Sequence, residues 1–97
     1  MGEEEEVFCR YNYDGIGVAL TSGRLIVRSE EFERELPIEK VNSFYVYPKR
    51  TFLSKKYQIF VNIDNEEDIR LIETDSQNDA VNIKDDLNKN LEEHCKN

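Results

Sequence analysis

The sequence predicts a mainly β (α+β) domain: seven short strands forming a sandwich or partly open barrel, capped by one C-terminal amphipathic helix. Three observations carry that expectation. Short runs of alternating apolar residues fill positions 7–74, with turn residues between nearly all of them. From Ser76 onward the apolar spacing changes to the helical period. The chain has 97 residues, enough for one core and not for two.

The elements follow in order. "VFCRYNY" (7–13) is the first strand, ended by Asp14-Gly15. "GVALT" (17–21) puts Val18 and Leu20 on one face, and Ser22-Gly23 is a tight hairpin signal. "RLIVR" (24–28) puts Leu25 and Val27 together, with Ile26 opposite. "FEREL" (32–36) is shorter and closed by Pro37. "IEKVNSFYVY" (38–47) is β-branched and aromatic in its second half and is expected to stop at Pro48. "YQIFVNI" (57–63) has the cleanest alternation, with Tyr57, Ile59, Val61 and Ile63 on one face. The acidic turn "DNEED" (64–68) leads into "IRLIET" (69–74). Ser76, with Asp79 three residues on, then heads the helix as a variant capping box. Ala80, Ile83, Leu87 and Leu91 form its apolar stripe, which runs towards Cys95. Residues 1–6 form an acidic N-terminal tail, and 7–97 the folded domain.

Composition bounds the function. Hydrophobic residues make up 38% of the chain and charged residues 35%, which suits a folded domain with a heavily charged surface. The net charge of −8 argues against general binding to nucleic acid or to anionic membrane. Cys9 and Cys95 stand near opposite ends with no zinc spacing, so they are expected as reduced thiols. No signal peptide or membrane-spanning run is read, and "MGEEEE" has Glu6 where myristoylation needs Ser or Thr. The expected location is cytoplasmic.

Seven strands and a C-terminal helix are the element order of the pleckstrin-homology (PH) superfold. "ALTSGRLIVRSEEFERELPIEKVNSFYV" (19–46) resembles bacterial PH-like and GRAM-like domains. Leu20-Thr21 and Arg24-Leu25 stand where such domains carry their "LT…RL" hairpin, and "LPIEKV" (36–41) where they carry "IPLEDI"-like residues. The resemblance implies a seven-stranded PH-like fold. It also implies where an inositol phosphate would bind, in and beside the first hairpin. Here that segment, "RYNYDGIGVALT" (10–21), offers one arginine, one aspartate and no lysine, so it departs from the lipid-binding pattern.

No constellation favours catalysis. His94 is the only histidine, and its neighbour Cys95 would point about 100° away on a helix. "DNEED" has neither the central glycine nor the distal glutamate of a calcium loop. Gly15 and Gly17 lead into a strand rather than a helix, so they are not a dinucleotide fingerprint. No cofactor, metal or small-molecule substrate is expected. The local anomaly is "PKRTFLSKK" (48–56). Lys49, Arg50, Lys55 and Lys56 crowd around Phe52 and Leu53 with no acid among them. They are expected on an eight-residue loop (49–56) that touches a partner; the blander alternative folds Phe52 and Leu53 back onto the sandwich. The function expected is a non-enzymatic intracellular interaction module, protein-binding or self-associating. The alternative is peripheral membrane binding through loop 48–56.

Overall fold

The computed structural model describes residues 6–95, apart from the side chain of Cys95. Glu6 is therefore the one residue of the acidic tail described. Its carbonyl accepts from the Ser22 N–H (2.9 Å), and its own N–H donates to Ser22 Oγ (3.3 Å).

Two antiparallel sheets and one C-terminal helix make the architecture among the described residues. The first sheet holds β1 (Val7–Tyr13), β2 (Ile16–Thr21), β3 (Arg24–Arg28) and β4 (Glu33–Pro37) in that spatial order. The second holds β5 (Val41–Arg50), β6 (Lys55–Ile63) and β7 (Ile69–Thr74). The helix α1 spans Gln77–Asn90.

The turns follow local chemistry. Asp14 and Gly15 both adopt positive φ (50° and 77°), the pair of angles that a tight two-residue hairpin needs. The Thr21 hydroxyl closes the next turn by accepting from the N–H groups of Gly23 (3.2 Å) and Arg24 (3.0 Å). Phe32 belongs to a turn rather than to a strand. Its carbonyl accepts from the Ser29 N–H (2.8 Å), so β4 begins one residue later than expected. Pro37 ends β4, and a single 3₁₀ turn, Ile38–Lys40, carries the chain to the second sheet.

One core draws on both sheets and the helix. Val18, Leu20, Leu25, Val27, Ile59 and Val61 are its fully buried strand residues at the expected phase. A bulge beside Ile59 lets consecutive Leu71 and Ile72 both be buried. The helix stripe is as expected: Ala80, Ile83, Leu87 and Leu91 are buried, and α1 packs on β5, β6 and β7. Ser76 caps it, with Oγ accepting from the Asp79 N–H (3.2 Å). After Asn90 the helix widens into a π turn, Leu91–Cys95. None of the described helices is long and apolar enough to cross a membrane.

The main departure lies at Pro48. β5 does not stop there but continues to Arg50, with Pro48 opposite Tyr57 and Arg50 opposite Lys55. The expected eight-residue loop is a four-residue turn, 51–54. The long β5–β6 hairpin goes with an elongated molecule, 52 × 29 × 25 Å.

Candidate functional site

The end of the β5–β6 hairpin is the candidate site. Thr51 and Ser54 clasp the turn. The Thr51 N–H donates to the Ser54 carbonyl (2.8 Å), and Thr51 Oγ1 accepts from the Ser54 N–H (3.0 Å). Both polar side chains are thus spent on the turn. Phe52 and Leu53 project outward, 101% and 89% exposed. They do not fold back onto the core.

The four bases sit on strand rungs, not on a slack loop. Arg50 and Lys55 face each other on one side of the hairpin; Lys49 and Lys56 face each other on the other. Like charges directly opposite one another are unfavourable. Lys56 finds relief within the chain through Asp75 (2.5 Å), and that carboxylate raises the ammonium's pKa. Lys55 lies over the Tyr57 ring, 5.6 Å from its centroid. Lys49, Arg50 and Lys55 have no carboxylate partner among the described residues. The six residues expected to form the site are therefore together at one end of the molecule, with Lys56 already partnered.

Next to this end, the outer face of the second sheet carries an aromatic cluster. Tyr45 stacks on Phe60 (centroids 5.6 Å apart), and Tyr47 meets the same ring edge-on at 6.1 Å. The Tyr45 hydroxyl donates to Asp68. That bond, and then burial, push its pKa up to about 12.

The free edge of β5 is closed at two points. Asn88 of α1 reaches it with both amide atoms: Phe44 N–H donates to Oδ1 and Nδ2 donates to the Phe44 carbonyl, each at 2.9 Å. Phe44 therefore turns its backbone groups away from β6, and by alternation so do Val46, Pro48 and Arg50. Pro48 has no N–H to offer on that side, so it removes no bond from the ladder. That is why the strand passes through it. Asn88 was not legible as functional in the sequence. Its only signal is an amide beside the apolar helix stripe, next to Leu87.

The other sequence candidates are engaged elsewhere. His94 stacks on Phe8 at 4.5 Å. In the acidic turn, Glu66 receives Arg34 and Lys40, each at 3.2 Å. The Lys40 bond first, and Arg34 after it, hold the Glu66 carboxyl below its usual pKa. Outside the hairpin, an open hollow of about 620 Å³ lies on the outer face of the first sheet, over Gly17 and Ala19 and beside Arg10 and Arg28. Arg28 there is already paired with Glu33 (3.1 Å).

No protein-family model matches the chain, and neither a curated protein nor a solved structure matches it.

Proposed function

We propose that the chain is a non-enzymatic interaction module of PH-like build, which docks on an acidic protein surface through the end of the β5–β6 hairpin. The observation that carries this reading is the tip itself: two exposed apolar side chains, Phe52 and Leu53, between bases that lack carboxylate partners among the described residues. Burying a Phe or Leu side chain contributes about 1.5–3 kcal/mol. A carboxylate brought to Lys49, Arg50 and Lys55 would also relieve their mutual repulsion. The PH-like part rests on the order of four strands, three strands and a C-terminal helix, together with the residues at 19–46 that resemble such domains.

Strand addition is the other route by which a β domain takes a partner. It is poorly served at β5, where Asn88 and Pro48 block the edge. It is also poorly served at β4, which is five residues long, rich in charge and ended by Pro37. The two other edges are β1 and β7, and the reading rests on the exposed apolar side chains of the tip rather than on strand addition there.

A second reading, peripheral docking on an anionic lipid surface, is favoured by reach. The tip extends about 13 Å beyond the last buried rung, at Tyr57, taking roughly 3.3 Å per residue. Charges are screened over about 8 Å at physiological salt, so the acidic body opposes such an approach only weakly.

The chain contains no tryptophan, so Phe52→Trp places a single reporter at the tip. Its emission should start at the wavelength of free indole. It should move to the blue when polyglutamate or tryptophan-free wild-type chain is added, and return in high salt. A blue shift with phosphatidylserine vesicles alone would select the second reading. No shift with any of the three would overturn docking through the tip.

A further inference from the structure

We infer that the acidic surface is supplied by a second copy of this chain, and that copies associate head to tail. The inference rests on the docking reading above and names its partner. β6 runs from Lys55 at the tip to Ile63, about 27 Å away at 3.3–3.4 Å per residue. Immediately after it come Asp64, Glu66, Glu67 and Asp68. The hairpin is thus basic at one end and acidic at the other.

The acidic end has more than charge. Arg34, near the start of β4, reaches Glu66 (3.2 Å), which ties β4 to the β6–β7 turn. Glu30, Glu31 and the exposed Phe32 (42%) precede Arg34 by two to four residues, in the adjoining β3–β4 turn. Glu66 is spent on Arg34 and Lys40, whereas Glu30, Glu31, Asp64 and Glu67 have no ion-pair partner among the described residues. Each end therefore presents exposed apolar surface set among unpaired charges of one sign. The signs are opposite, and the paired strands between the ends hold them apart. One molecule cannot bring its own tip to its own acidic turn, but two can. The surfaces brought together are different, so the contact does not close on itself and can repeat along a row.

Sedimentation velocity on four proteins and one mixture tests this. The tip variant carries Lys49→Glu, Arg50→Glu, Lys55→Glu and Phe52→Ser. The acid-end variant carries Glu30→Gln, Glu31→Gln, Asp64→Asn and Glu67→Gln. All these side chains lie outside the core, and circular dichroism confirms folding before use; Leu53→Ser alone serves as a milder tip variant. The wild type should grow in mass with concentration without reaching a plateau, and less so in high salt. Each variant alone should stay monomeric. Their equimolar mixture should form one-to-one dimers and nothing larger, because each partner retains only one working end. A wild type that is monomeric at millimolar concentration would overturn the inference and leave tip docking to the tryptophan assay. A tip variant that associates as the wild type does would overturn both. A mixture that stays monomeric, or grows beyond dimers, would also overturn head-to-tail assembly.

Discussion

Tyr11 shows how one residue joins distant parts of this chain. It lies in β1, and its hydroxyl donates to the Asp86 carboxylate of α1, 75 positions away. Burial first, and then the bond to that carboxylate, push the phenol's pKa well above its ordinary value. The sign of the linkage follows. A raised folded pKa gives stability that is complete below the unfolded value near 10 and is lost as pH rises towards the folded value. Tyr11→Phe should therefore cost about 1.5–3 kcal/mol at neutral pH, as for a hydrogen bond to a charged group. The difference from wild type should shrink above pH 10, and urea melts at pH 7 and pH 11 would measure both. An equal difference at the two pH values would mean that the hydroxyl is not held as described. Nothing near Tyr11 in the sequence discloses this bond. Local alternation places Tyr11 on the inner face of its strand, but the helix register that delivers Asp86 is a tertiary fact. Lys56 is a similar case, because its partner Asp75 lies beyond the strand that pairs with it.

Among the elements, legibility depended on whether the deciding forces were local. β1, β3 and β7 have the bounds expected from alternation and turn residues, and the apolar stripe of α1 is the buried one. Pro48 is not legible locally, because its effect depends on which way its nitrogen points, and pairing phase is set by the neighbouring strand. On the ladder side it would have ended β5. On the free side it protects an edge. Asn88 does the same job one end over, supplying to Phe44 the donor and acceptor that a neighbouring strand would bring. Asn88→Ala should cost about 1–3 kcal/mol for the two bonds lost. Pro48→Thr alone should barely change melting. The double variant should expose a continuous edge and bind thioflavin T on incubation, where neither single variant does. If Asn88→Ala melts with the wild type, the amide does not hold the edge.

At the scale of the whole molecule, stability and contact are kept apart. The core lies between the sheets and under α1, whereas the basic end of the hairpin contributes no fully buried side chain beyond Tyr57. The candidate residues were legible as a group because a run of four bases around two apolar residues stands out in an acidic chain. Their arrangement on facing rungs was not, since it required β5 to continue past Pro48. That arrangement sets the direction of the last prediction. In Lys49→Glu the new carboxylate faces Lys56 across the strands, so a like-charged pair becomes an opposite one. Opposite charges directly across a strand pair stabilise where like charges destabilise, and exposure together with the Asp75 pair keeps the gain small. The melting temperature should rise, by no more than about 8 °C in a domain of this size. The same substitution removes one of three bases available to a partner, so association or docking should weaken as the fold grows firmer. Calorimetry and sedimentation of the one protein read both changes. Loss of stability together with loss of association would mean that the basic end supports the fold. A gain in stability with association untouched would leave the cluster with no partner to meet.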